Sequence, residues 1–468
     1  MLNKLSNIIL VLSAIYFVSV SSYLVKVIEI TRHGARTPIY KLPKSVDYLQ
    51  NELAQLTVIG FNQEMQLGIW KRQRYIENKD PEYRNFLSKK YNPLEIKVIS
   101  SKYQRTQFSA LANLSGLYPG VLFRIKSSSD NKFIRDIVHP PFRTNYHLPS
   151  NTKYIDLVVM DSKTDKIFRA RNCILNSKNA MSFFKKKENL IEFKNLNDIN
   201  EDDIIENFLQ EELSNSSQKE ISRIKNQFFH HHEKEILSLE EKKLLKEKLE
   251  PVFPEFFKKN VEELHMRSIV KVADFLNFFN FSYNNKNSPF YDKAQIESIL
   301  RKVCLRYVKA NLSEDDELKM LSTHLFLEMI GELEEVMNYK YIFSKSLLEG
   351  MKKYILYSGH DRNIQDALLN ILDPFYISYL YKKSFTDTSS FEFLRIPFSS
   401  FLIFELHYFE DDKQFYIKII YNSEEIKENL RKVEGQTIIY VKDKGFPYSK
   451  IKKMLVSRID MRLKNIQC

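Results

Sequence analysis

The chain of 468 residues is poor in cysteine and glycine. Its three cysteines are Cys173, Cys304 and Cys468, so at most one internal disulfide can form and one thiol is left over. A Cys173–Cys304 bridge is left open, and a core of this size is able to stabilise the fold without disulfides. Glycine is absent between Gly120 and Gly331. The absence of glycine indicates that the middle of the chain differs in composition from the two ends.

Several catalytic and nucleotide-binding motifs are also absent. The sequence has no P-loop, no G-x-G-x-x-G fingerprint and no G-x-S-x-G nucleophile elbow. The sequence therefore does not favour the enzyme classes that these motifs identify, which are nucleotide hydrolases, dinucleotide oxidoreductases and serine hydrolases. No further His, Asp or Glu residues stand at metal-ligand spacing, and the run 230–232 of three histidines favours a solvated helix or loop. We expect neither a metal nor a cofactor.

The net charge of +12 narrows the class of partner. The basic residues are interspersed with acidic ones and form no long Lys/Arg block with aromatics, so we expect no nucleic-acid binding. A modest positive field suits a small substrate that carries phosphate. The sequence leaves the oligomeric state open, and a homodimer is one option.

The N-terminus resembles a secretory signal. Lys4 is followed by an apolar stretch over 8–20 and by small residues up to Ser22. The stretch is too short to span a membrane, and no later stretch is long and apolar enough, so we expect no stable membrane span. We predict that residues 1–22 are a signal peptide and that the protein is secreted or lies in the lysosomal lumen. Four glycosylation sequons agree with this route: Asn113, Asn215, Asn280 and Asn311.

The most informative motif is TRHGARTP at 31–38. It directly follows the apolar run 23–30, which is typical of a strand, so His33 lies between Arg32 and Arg36 on a loop that leaves a strand. Ligands bind at this edge of open α/β sheets. Two guanidinium groups suit a phosphate, and an imidazole between them is a candidate nucleophile.

Two further strand ends carry polar groups. The strand predicted at 94–101 leads into Arg105 and a helix over 106–117, and the strand predicted at 353–358 ends at His360 and Asp361. Neighbouring strand ends converge on one crevice in a doubly wound sheet. In such a site His33 is the nucleophile, Asp361 donates the proton to the leaving group, and the remaining candidates bind the phosphoryl oxygens: Arg32, Arg36, Arg105 and His360.

The fold class predicted is α/β, a doubly wound sheet with flanking helices and a mostly helical insertion. The predicted α/β core consists of residues 23–159 and 346–468. Its second part contains a predicted hairpin, with strands over 399–407 and 414–421, and an amphipathic helix near the C-terminus. Charge density rises over 160–345, which we predict to be a helical insertion, or cap.

These residues resemble the signatures of the histidine acid phosphatases, in the branch of the prostatic and lysosomal enzymes. RHGARTP at 32–38 is similar to the family's RHGxRxP, and SGHD at 358–361 to its downstream His-Asp motif. The stretches 56–75, 104–119 and 397–406 also resemble family stretches. The resemblance implies an acid phosphatase that forms a phosphohistidine on His33, and it places Arg105 on the family's third phosphate-binding arginine.

The resemblance has departures. ISSKYQR at 99–105 lacks the acidic residue that usually precedes the arginine, and Arg362 and Asn363 stand where the family usually has threonines. Two alternatives remain. A phytase-like inositol-phosphate phosphatase would use the same catalytic residues, and an inactive homologue would bind phosphoesters without turnover.

Overall fold

The structure is a computed structural model. It describes residues 22–40, 53–128, 133–135, 154–170, 237–283, 294–309, 315–337 and 351–464, except for gaps of one or two residues within these ranges. Residues 1–21 of the predicted signal peptide lie outside the described residues, and so do the three histidines at 230–232, Cys173 and Cys468. The described residues contain no helix long and apolar enough to cross a membrane.

In the described part of the chain, ten strands form one mixed sheet with the strand order β10-β8-β7-β1-β6-β2-β5-β3-β4, and β9 pairs with β8. The strands are β1 Ser22–Arg32, β2 Ile96–Ser100, β3 Leu122–Ser127, β4 Phe133–Arg135, β5 Tyr154–Val159, β6 Tyr354–Gly359, β7 Phe401–Phe409, β8 Gln414–Tyr421, β9 Glu424–Ile426 and β10 Phe446–Pro447. Strands β1, β6, β2, β5 and β3 run parallel, and β7 joins β1 antiparallel.

Ten helices accompany the sheet in the described residues. They are α1 Val58–Tyr75, α2 Gln104–Leu117, α3 Leu239–Leu249, α4 Met266–Tyr283, α5 Ala294–Cys304, α6 Asp315–Met337, α7 Asp361–Ile371, α8 Pro374–Lys383, α9 Thr388–Arg395 and α10 Tyr448–Ser457. The predicted helix after Arg105 is present but begins at Gln104, and the predicted hairpin is β7–β8. The mixed α/β class predicted from the sequence is confirmed.

Both faces of the sheet are covered, which explains why its central strands are almost continuously apolar. Val27 of β1 packs in a cluster with α1 and α2 on one face. Its neighbour Ile28 packs on the other face, in a cluster with α6, α7 and α10. Side chains alternate across a strand, so a single strand supplies both cores. The sheet is therefore doubly wound.

The residues predicted as the insertion contribute to two different clusters. Helices α3, α4 and α5 share their own apolar core, which includes Phe253, Phe275 and Val303. Helix α6 instead packs on the sheet, with Phe326 and Met329 buried beside β1 and α7. The boundaries 160 and 345 stay a prediction. By packing, α6 lies with the α/β core and not with the other insertion helices.

Asn113 corrects one expectation. It lies in α2, is fully buried, and donates from Nδ2 to Glu64 Oε2 at 3.3 Å. A glycan on this side chain is incompatible with its burial, so the sequon at Asn113 is not a glycosylation site of the folded protein. The side chains of the other three sequons lie outside the described residues.

Candidate active site

Three parallel strands end side by side and bring the predicted residues together. Arg32 at the end of β1 is in register with Gly359 at the end of β6, and Ser100 at the end of β2 is in register with Ser358. The His33 amide donates to the Gly359 carbonyl at 3.1 Å. The rings of His33 and His360 therefore lie edge to face, 5.5 Å apart between centroids.

Gly34 allows helix α1 to approach this loop. A Cβ atom on Gly34 would lie 2.2 Å from the Gly60 carbonyl oxygen, and one on Gly60 would lie 2.1 Å from the Ala35 carbonyl oxygen. Neither glycine has a positive φ. Close backbone packing against α1, and not a left-handed conformation, therefore explains glycine at position 34.

His33 is 3% exposed, and its Nδ1 lies 2.8 Å from the Gly34 carbonyl oxygen. A carbonyl oxygen only accepts, so Nδ1 carries the proton and the lone pair of the neutral ring is on Nε2. Burial, followed by the charges of Arg105 and Arg32, lowers the pKa of His33 well below its usual value. Both effects favour the neutral imidazole over the imidazolium.

Arg32 is held on three sides. Its guanidinium donates to the Ile396 carbonyl, forms an ion pair with Asp361 at 3.3 Å, and stacks on Phe398 with Cζ 4.2 Å from the ring centroid. Ile396 has a φ of 54°, a left-handed conformation that is costly for a β-branched residue. Burial lowers the pKa of Arg32 to about 10, so the group remains charged.

Arg36 lies on the same loop and is 6% exposed. Its Nη2 donates to Oδ1 of Asp274 at 2.8 Å, and its Nη1 lies 3.4 Å from Oδ2 of the same carboxylate. Asp274 comes from helix α4 of the insertion. A residue 238 positions away in sequence therefore contacts one of the predicted phosphate-binding arginines.

Arg105 and His360 are joined by an aromatic ring. The Tyr103 ring lies 4.3 Å from Cζ of Arg105 and meets the His360 ring edge-on, 5.2 Å between centroids. Ser101 Oγ lies 3.0 Å from His360 Nε2. Burial and the charge of Arg105 lower the pKa of His360 well below its usual value. A neutral His360 has one ring nitrogen able to donate to a phosphoryl oxygen.

Asp361 is the most accessible of these groups, with a side chain 40% exposed. It is the first residue of α7, where the helix dipole favours a carboxylate. Desolvation acts to raise its pKa, but the positive charges of Arg32 and Arg362 outweigh it and lower the pKa to about 2. Asp361 is thus an anion facing Arg32.

The six residues predicted from the sequence lie close together at the ends of β1, β6 and β2. Sequence reasoning missed the side chains that orient them: Ser101, Tyr103, Asp274 and Phe398. Tyr103 and Phe398 lie next to motifs that were identified in the sequence, so their position in the sequence could have predicted a place in the site. Asp274 had none, because its helix is remote in sequence. The described residues contain no group of three or more His, Cys, Asp or Glu side chains able to hold a metal ion.

Comparison with known proteins gives a family match over most of the chain. The sequence model of the histidine phosphatase superfamily (branch 2) matches residues 23–422. The lysosomal acid phosphatase of Xenopus laevis is 40% identical over 91 residues, which cover 19% of this chain and 19% of that protein. The putative acid phosphatase 5 of Caenorhabditis elegans is 38% identical over 89 residues, with the same shares. The aligned segment thus spans about a fifth of these relatives.

Two solved structures show the same fold over nearly the whole chain. The apo form of the Hafnia alvei phytase has a TM-score of 0.50 and 13% identity, covering 94% of this chain and 98% of that one. The multiple inositol polyphosphate phosphatase of Bifidobacterium longum, in complex with phosphate, has a TM-score of 0.50 and 10% identity, covering 94% of each chain. At these identities the likeness concerns the fold alone.

Proposed function

Because this chain belongs to the histidine phosphatase superfamily, branch 2, we propose that it is an acid phosphatase that hydrolyses phosphate monoesters through a phosphohistidine on His33. One observation carries the proposal. A buried imidazole with its Nε2 lone pair available lies next to Arg32, Arg36 and Arg105, which lower its pKa. This arrangement combines a nucleophile with the positive charge that a phosphoryl group requires.

The first step forms one bond and breaks one. His33 Nε2 attacks phosphorus, the ester P–O bond breaks, and the leaving oxygen takes a proton from Asp361. The arginines and His360 bind the equatorial oxygens, where charge accumulates in the transition state. In the second step water attacks phosphorus, the P–N bond breaks, and Asp361 takes the proton of the water. Inorganic phosphate leaves, and His33 and Asp361 return to their starting states.

The proton on Asp361 depends on the bound substrate. Without substrate, Arg32 holds the carboxylate as an anion, with a pKa of about 2. A phosphate group that binds Arg32 offsets this attraction and repels the carboxylate, which raises the pKa of Asp361. Acidic solution then favours the protonated form. His33 stays neutral in the same pH range, so the two groups are competent together.

The direct test is a panel of phosphate monoesters assayed at several pH values, with acid- and alkali-quenched samples after exposure to ³²P-labelled substrate. We expect turnover that peaks in acidic solution, and a protein-bound phosphate that is labile in acid and stable in base. An active enzyme with no trapped phosphohistidine under rapid quenching would contradict the covalent step. Activity that peaks well above neutral pH would contradict the role of Asp361.

A second candidate is a phytase-like phosphatase for inositol phosphates. Basic groups beyond the three arginines support it. Lys102 and Arg169 lie 5.6 Å and 5.8 Å from the Tyr103 ring, and Arg362 is close enough to lower the pKa of Asp361. A substrate with several phosphates would benefit from this additional charge. Comparison of kcat/KM for phytate and β-glycerophosphate, with equal ionic strength, separates the two candidates.

An inactive homologue that binds phosphoesters remains the third alternative. The full set of catalytic side chains in one crevice argues against it. Binding of vanadate without turnover of any monoester would support it.

The localisation proposed is secretion or the lysosomal lumen. It is supported by the N-terminal sequence pattern and by the partial similarity to lysosomal acid phosphatases. N-terminal sequencing of the protein isolated from its own cells tests this, because a mature chain that starts near residue 23 requires removal of the signal. An intact N-terminus on cytosolic protein would contradict it.

A further inference from the structure

Helix α4 of the insertion meets the RHG loop through one carboxylate. Arg36 donates to both oxygens of Asp274, at 2.8 Å and 3.4 Å, and the Ile39 amide donates to Oδ2 at 2.9 Å. Lys271, one turn earlier in α4, lies 5.5 Å from the Tyr40 ring. The same helix thus contacts the loop at its guanidinium, its backbone and its aromatic side chain.

The contact fixes the plane of the Arg36 guanidinium. Nη1 also donates to the Thr37 carbonyl at 3.0 Å, and the group lies 5.9 Å from the Phe398 ring. The side chain of Asp274 is only 16% exposed, so water screens the pair weakly. A two-point pairing of arginine with carboxylate adds geometric specificity as well as energy. The long arginine side chain therefore loses its rotamer freedom before any ligand arrives.

A carboxylate beside a phosphate-binding arginine has two opposite effects. Its negative charge weakens the attraction for an anion, whereas its hydrogen bonds hold the guanidinium in place. If Asp274 only competed with phosphate for Arg36, a single point of contact between the two side chains would be sufficient. The additional hydrogen bond from Ile39 ties the carboxylate to the loop itself, which favours the holding role.

We propose that Asp274 is a positioning residue, which holds Arg36 in the orientation that receives the phosphoryl oxygens, so that the helical insertion completes the phosphate site. The inference rests on the proposed function, because it requires Arg36 to bind phosphate. It assigns to the insertion a part in phosphate binding. It also links the packing of α4 on the loop to the affinity for the phosphoryl group.

The test is the inhibition constant of inorganic phosphate, measured against p-nitrophenyl phosphate. Asp274→Ala should raise this constant about tenfold, within the range of coupling between groups in contact. Asp274→Asn keeps an acceptor for Arg36 Nη2 and should lose less. Glu241→Ala is the matched control: it removes an insertion carboxylate that pairs with Lys302, and it should leave the constant unchanged. Thermal melting of each variant reports separately on folding.

A double-mutant cycle distinguishes positioning from a general structural role. Arg36→Met should weaken phosphate binding by itself, and adding Asp274→Ala should then have no further effect. A full tenfold loss in the Arg36→Met background overturns the inference, as does an unchanged or tighter constant in Asp274→Ala alone. If the wild-type protein neither turns over monoesters nor binds phosphate in a calorimeter, the proposed function fails as well. If the wild type is active but Asp274→Ala raises the inhibition constant equally with and without Arg36, this inference alone fails.

Discussion

The imidazole rings of His33 and His360 meet edge to face, 5.5 Å apart between centroids, because β1 and β6 end in register. The two rings nevertheless have different partners. His33 Nδ1 is satisfied by its own loop, at the Gly34 carbonyl, whereas His360 Nε2 faces Ser101 Oγ. The Nε2 lone pair of His33 is therefore available for the attack that we propose, and in the same proposal His360 binds a phosphoryl oxygen. The pair therefore predicts distinct effects of the two substitutions.

His33→Ala should abolish turnover of p-nitrophenyl phosphate, with a loss of at least about 10⁴-fold, since the nucleophile itself is removed. It should still bind inorganic phosphate, because the three arginines remain. Steady-state kinetics and calorimetry measure these two quantities. His360→Ala is the comparison variant: it should reduce turnover less and still form the trapped phosphohistidine. Near-normal activity in His33→Ala would reject the nucleophile assignment.

Asp361→Asn should slow alkyl phosphates far more than p-nitrophenyl phosphate. A poor leaving group needs a proton, whereas p-nitrophenolate departs readily without one. The measurement is kcat for β-glycerophosphate and for p-nitrophenyl phosphate in the wild type and the variant. Equal losses on both substrates would show that Asp361 does not act as the acid.

Arg362→Ala should move the alkaline limb of the pH–rate profile to higher pH. The positive charge of Arg362 is one of those that lower the pKa of Asp361, so its removal favours the protonated carboxyl. Asp361 would then remain a proton donor at a pH where the wild-type group is already ionised.

The control for this profile is Lys453→Ala, which removes an exposed cation paired with Glu434. Its alkaline limb should coincide with that of the wild type. A shift of the Arg362→Ala limb to lower pH would have the wrong sign for the proposed electrostatics.

The parts predicted from the sequence are those with local signals. The apolar runs before His33 and His360 predicted strands, and the polar residues after them predicted strand ends, so the crevice followed from sheet geometry. The phosphatase resemblance depended on the same short motifs. Long-range contacts had no such signal. The partner of Arg36 in α4 and the packing of α6 on the sheet depend on tertiary structure that no local pattern encodes.

The buried charged residues next to the site are another example of long-range contacts that no local sequence pattern predicts. Glu29 and Lys71 form an ion pair with neither side chain exposed, and Tyr354 donates to the same carboxylate. Lys71 also donates to Asn113 Oδ1 at 3.0 Å, and Asn113 donates to Glu64. Strand β1 and helix α1 supply one cation and two carboxylates to this buried space, and helix α2 adds the amide of Asn113. A single additional proton neutralises the set, and the raised pKa of Glu64 favours this carboxyl as the one that binds it.

Glu64 should make the protein less stable as the pH rises. Burial, opposed by Lys71 and Asn113, raises the pKa of Glu64 to about 8, against 4.5 for the ordinary group. Between these two values the folded state binds more protons than the unfolded state, so the free energy of unfolding falls with increasing pH at roughly 1.4 kcal/mol per pH unit for a single group. The contribution of Glu64 to the free energy of unfolding is fully present below about pH 4.5. It is lost as the pH rises through the pKa of about 8 that Glu64 has in the folded protein.

Glu64→Gln removes this titration while keeping a neutral side chain of similar shape. Its melting temperature should therefore change less than that of the wild type between pH 5 and pH 8.5, and the two proteins should be closest in stability at the acidic end, where Glu64 is also neutral. Chemical denaturation at each pH converts the difference into a free energy of unfolding. Parallel pH profiles for the two proteins would mean that Glu64 is ionised throughout, with its charge balanced by Lys71. In that case the substitution should instead destabilise the protein equally at every pH, because it leaves the buried ammonium with one carboxylate fewer.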